Sequence, residues 1–156
     1  MQTKINLKKE NFTEINLQDN DSINIFAFLS LKKNENFDGE ISLVHFGKNS
    51  KSRISVRIVL SENSFARFFG KVKIEKGAKK SDSNLDIKVL LLSDSSKILT
   101  EPIIEVFEND VENAGHGLAI SGIPKKELQF LMTRGISEKN AKKLVKNGFL
   151  KNNRTY

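Results

Sequence analysis

A lone histidine set between two glycines, Gly115-His116-Gly117, is the residue best placed to do chemistry in this chain of 156 residues. Little side-chain bulk flanks it, so a metal ion or a partner surface can approach the imidazole closely. Two carboxylates precede it, Glu108 and Asp110, in the acidic bend Glu108-Asn109-Asp110. If the bend folds back, they orient the ring or share an ion with it. The plainer reading makes His116 a polar residue in a Gly-His-Gly corner. The second histidine, His45, follows Val44 in a strand pattern, where an internally hydrogen-bonded structural histidine is the better expectation.

Other chemistry is poorly supported. The chain has no cysteine, which removes disulfides and every thiolate that could hold iron, zinc or a persulfide. The segment GKVKIEKGAKK lacks the spacing of a phosphate-binding loop. Asp82, Asp86 and Lys88 could be arranged as in a polysaccharide lyase, although their spacing fits polar strand positions equally well. The net charge of +7 and pI near 9.6 raise nucleic-acid binding. Lysines are scattered along the chain, however, and the dense basic clusters, Lys79-Lys80 and the stretch from Lys142 to Arg154, hold one aromatic between them, Phe149, and so lack a series of rings for base stacking.

The elements that must position His116 are mostly strands. Ile54, Val56, Ile58 and Leu60 alternate with Ser55, Arg57 and Val59, the period of a strand with one core face. Similar short runs at Ile5, Ile15, Ile23 to Leu31, Ile41 to Phe46, and Val72 to Ile74 are separated by Asn, Asp, Gly and Lys breaks. Alone, that spacing fits a sandwich or a barrel. After His116 the pattern turns helical. Pro124 suits a first helical position, Leu128, Leu131 and Met132 form an apolar stripe, and Gly135 suits a left-handed stop. Ser137 then caps a second helix, which Leu144 and Val145 continue and Gly148 is expected to end. No apolar stretch reaches the roughly 18 residues that span a bilayer, and Met1 leads into polar residues, so a cytoplasmic protein is expected.

Several of these residues, in order, resemble the C-terminal core of the SufB/SufD proteins of the SUF iron-sulfur cluster assembly system. They are Gly77 to Asp82 (GAKKSD), Leu90 to Ser93 (LLLS), Pro102, Ile104, Glu105 and Val106 in one strand, Asp110 and Val111 in the bend, His116-Gly117, and Arg134-Gly135-Ile136 between the helices. The resemblance runs roughly from His45 to Phe149, and relatives in that family are longer, which makes this chain look like a minimal or truncated form. It implies a short right-handed parallel β-helix over residues 1–123 with about three to six coils, a helical unit over 124–150 and a tail over 151–156.

It also implies a scaffold in place of an enzyme. The terminal helices would bind a SufC-like ABC ATPase, with Leu128, Leu131, Arg134, Gly135 and Leu144 shaping the surface. The β-helix would pair with a SufB-like subunit or with a second copy of itself, placing Glu105, Asp110 and His116 near a shared interface. His116 is the one metal-ligand candidate. No intrinsic cofactor is implied, only a transient iron-sulfur cluster shared between subunits, and neither a membrane nor nucleic acid is an expected partner. SufB-type members use a cysteine for cluster work. The matching strand here, near Ser96 to Glu101, has none, so the sulfur ligands would come from another subunit. The chain is SufD-like in that respect.

Overall fold

A computed structural model describes residues 1–151. Nine strands are followed by two helices: β1 (Gln2–Asn6), β2 (Phe12–Leu17), β3 (Ser22–Leu31), β4 (Asn36–His45), β5 (Lys51–Leu60), β6 (Phe65–Ile74), β7 (Asp82–Leu91), β8 (Lys97–Val106), β9 (Asn113–Gly122), α1 (Lys125–Thr133) and α2 (Glu138–Lys151). Every pairing is parallel. Odd strands form one sheet, β1-β3-β5-β7-β9, and even strands the other, β2-β4-β6-β8. The chain therefore alternates between two facing sheets, gaining one coil for every two strands. This is a parallel β-helix of about four coils, and the sandwich and barrel alternatives do not apply.

The alternation seen in the sequence builds the core. Inward residues stack in columns from coil to coil: Ile25, Ile54 and Leu85 form one, and Leu43, Val72 and Ile104 form another on the facing sheet. Residues such as Ile54, Ile58, Leu60, Phe68 and Leu85 are essentially inaccessible. Gly70 sits in a column between Ile41 and Pro102. A methyl group there would come within 3.0 Å of Leu85, so the glycine makes room for the opposite sheet.

The corners follow from local backbone chemistry. Asn20 and Asn49 occupy the left-handed region at φ 63° and 56°, as asparagine tolerates better than most residues. Their amides donate to the carbonyls of Lys48 and Lys79 one coil on, and the Asn49 side chain donates to Asn20 Oδ1 at 3.2 Å. Lys80 takes the third place in this column at φ 57°, its amide donating to Asp110. Asn34 and Asn63 repeat the conformation at another corner.

Beside the first corner lies a buried polar network. His45 Nδ1 is 2.7 Å from Ser50 Oγ and its Nε2 3.0 Å from Ser52 Oγ. These hydroxyls continue to Ser81 at 3.0 Å and Ser83 at 2.7 Å in the next coil. Ser50 and Ser81 also reach the carbonyls of Gly47 and Ala78. An Nδ1–H tautomer lets His45 donate to Ser50 and accept from Ser52; with one proton on each hydroxyl, Ser50 donates to the Gly47 carbonyl and Ser81 donates either to Ser50 or to the Ala78 carbonyl. The structural expectation for His45 holds: its side chain is fully buried and both ring nitrogens are bonded.

The helices show two departures from the sequence reading. Pro124 is the N-cap of α1, one place before the first helical position. More substantially, α2 passes through Gly148 to Lys151. An interior glycine costs about 1 kcal/mol relative to alanine, and here the helix continues because Phe149 packs its ring over Arg57, 6.0 Å from the guanidinium. The expected helical unit of 124–150 thus extends by one residue, and the expected tail beyond it lies outside the described residues. Between the helices, Gly135 has φ 80°, its amide donates to Met132, and the Ile136 amide donates to Leu131, a Schellman stop. Ser137 caps α2 as expected, its Oγ accepting from the Asn140 amide at 3.4 Å.

α2 lies against the outer side of β5. Arg57 projects outward from β5 with only 4% of its side chain exposed, bonded to Asp86 Oδ2 at 3.0 Å and to its neighbour's carbonyl, Val56 O, at 3.2 Å. Ala141 of α2 is fully buried. α1, by contrast, has no buried residue.

Candidate functional site: the open last coil and the helix pair

β8 and β9 are the last strands of their sheets, so each has one edge without a partner among the described residues. The inward faces of these two strands make up the last rung of the core. Leu118 and Ile120 of β9 continue the columns of Ile87 and Val89, yet stand 41% and 48% exposed. Val106 of β8 continues the column of Ile74 and is 42% exposed. Thr100 adds a buried hydroxyl with no hydrogen-bond partner.

His116 belongs to this open rung. It lies inside β9, paired with Leu85 of β7, and is exposed. The Gly-His-Gly segment is therefore strand and no corner. Gly115 and Gly117 point to the opposite, outward face, where a methyl group at Gly115 would meet Asn84 Oδ1 at 3.1 Å and one at Gly117 would meet Asp86 Oδ1 at 3.4 Å. Neither has a positive φ. A side chain at Gly115 would crowd the end of Asn84, whereas one at Gly117 would meet Asp86 at ordinary contact distance.

The carboxylates expected near the imidazole are engaged elsewhere. Glu108 accepts backbone hydrogens from Gly77 at 2.8 Å, Asn109 at 2.9 Å and Asp110 at 3.1 Å, which hold its carboxyl below the usual range. Asp110 is paired with Lys80 at 2.7 Å. Glu105 is on the outward face of β8, opposite Lys73 of β6. None forms a hydrogen bond with His116, so the expected trio is dispersed. Among the described residues no group of three or more His, Cys, Asp or Glu side chains is arranged to hold a metal. Any ion at His116 would need most of its ligands from another chain.

Asp82 and Asp86, the candidate lyase carboxylates, form rungs on the outer face. Arg53 grips Asp82 with two bonds of 2.9 and 2.6 Å, and this pairing lowers the Asp82 carboxyl's affinity for protons. Asp86 is held by Arg57 and, at 3.5 Å, by Lys88. Carboxylates neutralised in this way tie coils together and are poorly placed to abstract a proton.

The five helix residues divide between two surfaces. Leu131 lines a shallow apolar groove of about 360 Å³ with Lys126, Glu127, Phe130 and Val145. Leu128 faces a larger cleft of about 650 Å³ between the helices and the corner loops around Glu62 and Asp94. Leu144 is 51% exposed. Arg134 and Gly135 form the turn between the helices, with the Arg134 guanidinium 4.6 Å from the Phe130 ring. Phe130 was not singled out by sequence, and Val145 only as part of the second helix's apolar stripe. Phe130 lies off the Leu128-Leu131-Met132 stripe, and its 57% exposure marks it as surface, not core.

Fold and site together define a parallel β-helix that ends in an unpaired coil and carries an amphipathic helix pair. The chain belongs to the SufBD family: a family model described as SUF system FeS cluster assembly, SufBD core domain, matches residues 4–149. The iron-sulfur cluster assembly protein SufD of Bacillus subtilis is 36% identical over 119 residues, covering 76% of this chain and 26% of the relative. An iron-sulfur cluster assembly SufBD family protein of Galdieria sulphuraria is 36% identical over 109 residues, or 70% of this chain and 49% of the relative. SufD of Plasmodium falciparum is 35% identical over 95 residues, covering 61% and 6%. The chain thus spans half or less of each of these relatives. The family match also starts at Lys4, well before His45, where the motif residues begin.

Proposed function

We propose that this chain is a scaffold subunit in iron-sulfur cluster assembly, with no catalytic step of its own. Its last coil pairs with another β-helix subunit, SufB-like or a second copy, and its helix pair docks a SufC-like ABC ATPase. The observation that carries the reading is the open rung: Leu118, Ile120 and Val106 are core residues by register and surface residues by exposure. Unpaired strand edges beside bare apolar columns are what a second solenoid covers.

The cluster is cargo in this reading. His116 stands on the rung that the partner covers, and sulfur ligands come from the partner because this chain has no cysteine. Among the described residues no helix is long and apolar enough to cross a membrane. We place the protein in the cytoplasm with its ATPase.

Copurification with the ATPase tests the helix dock. Leu131→Asp or Leu144→Asp should abolish it, and ATPase retention after deletion of residues 124–156 would refute it. Pairing is tested separately by solution mass: Ile120→Asp should shift the complex to the single subunit.

A further inference from the structure

The net charge of the molecule is divided very unevenly. Residues 1–123 contain 17 Lys and Arg and 17 Asp and Glu, so the solenoid part is neutral. Residues 124–156 contain nine and two, which accounts for the whole excess of +7. The cations that look scattered along the sequence are balanced everywhere except in residues 124–156.

The ion pairs repeat this division. In the solenoid, carboxylates of one strand meet cations of its neighbours, as in Arg53–Asp82, Arg57–Asp86, Arg67–Asp38 and Lys71–Glu40. On the helix pair, among the described residues, the one ion pair is Lys142–Glu138 at 2.6 Å. Lys126 lines the apolar groove, and Lys139 and Lys143 are exposed on α2. The apolar residues they accompany, Phe130, Met132 and Leu144, are 57%, 45% and 51% exposed.

We propose that the partner face received by this helix pair is acidic around an apolar centre, and that long-range attraction between the two steers their association. The proposal rests on the ATPase-docking reading and adds the chemistry of the partner's surface. The solenoid part carries no net charge, so the long-range attraction is centred on the helix pair beside β5 and sets orientation as well as rate. Apolar contact in the groove then holds the complex.

The test is the association rate of the full chain with the ATPase between 50 and 500 mM salt. The Debye length shrinks from more than 10 Å to less than half of that over this range, so the rate should fall by about tenfold. The triple variant Lys126→Glu, Lys139→Glu, Lys143→Glu should lose about tenfold at 50 mM and respond little to salt. Two of these changes place carboxylates in first helical turns, where the dipole favours them, so folding is preserved. A solenoid control with the same change in charge, Lys9→Glu, Lys48→Glu, Lys97→Glu, should bind as the parent does.

Tight binding that ignores salt and all three reversals would overturn the acidic-face proposal and leave the docking reading intact. Absence of binding by the parent chain would overturn both. Vesicles of phosphatidylglycerol and of phosphatidylcholine are tested in parallel. Capture by the anionic vesicles alone, lost in the triple variant while ATPase binding stays insensitive to salt, would assign the surface to lipid and refute the proposal.

Discussion

His116 is paired in register with Leu85, so its imidazole heads a column that contains Ile25, Ile54 and Leu85 below it. A polar ring at the top of an apolar column gains little for the fold of its own chain. It is also exposed and makes no hydrogen bond to its neighbours. His116→Ala should therefore change stability by less than about 0.5 kcal/mol. Maturation of an iron-sulfur reporter enzyme should fall well beyond any loss of soluble protein. Equal losses of both would make the histidine structural.

Much of the solenoid was legible because each strand carries one apolar face, and Ile54-Val56-Ile58-Leu60 shows the period directly. What single-strand patterns lack is the partner: parallel stacking over offsets of 22 to 32 residues, 29 from Ile25 to Ile54 and 31 from Ile54 to Leu85, is a property of pairs. The misreadings were glycines. Gly115 and Gly117 signal a turn by type, yet both lie inside β9, with Gly115 close to Asn84, a residue remote in sequence. Gly148 signals a helix stop, yet Phe149 and Arg57 carry the helix past it. For the candidate site, the flanking glycines single out His116 in the sequence, whereas the engagement of Glu108 and Asp110 by Gly77 and Lys80 depends on contacts across a coil.

Acid should destabilise the protein in a window set by His45. Burial pushes its pKa down to about 4, against an ordinary value near 6.5. The unfolded chain therefore takes up this proton first, and stability falls as pH drops from about 6.5 to about 4. The loss over that window is about 3 kcal/mol. Urea midpoints measured between pH 7 and pH 4.5 should show it. His45→Gln should be less stable at pH 7 but lack that slope, because Gln retains a donor and an acceptor without a titration. Asp82 is held low by Arg53, so its contribution starts to fall in the ordinary carboxylate range, where the unfolded chain takes up that proton, and goes on falling below it.

Lys80 is the one member of its corner column that is not asparagine. A lysine pays for the left-handed conformation that Asn20 and Asn49 adopt more readily. Lys80→Asn should stabilise the fold by about 0.5–1 kcal/mol, even though the exposed pair with Asp110 is lost. A lower thermal midpoint would show that the ion pair outweighs the backbone.

The contact of Phe149 with Arg57 should act as the latch of α2. Arg57 is nearly inaccessible and already committed to Asp86 and the Val56 carbonyl, so its guanidinium is a fixed platform for the ring. Phe149→Ala should cost about 1 kcal/mol from lost stacking and apolar contact. Arg57→Ala should cost about 2 kcal/mol, because it also leaves Asp86 without its main partner. If the two act together, the double variant should fall short of the summed losses by about 0.5–1 kcal/mol. Hydrogen exchange distinguishes a latch from general packing. In Phe149→Ala the amides of α2 beyond Ala141 should exchange faster while those of β5 and β7 keep their protection. Equal acceleration in the strands would mean that the helix is part of the solenoid's own stability and not an appended arm.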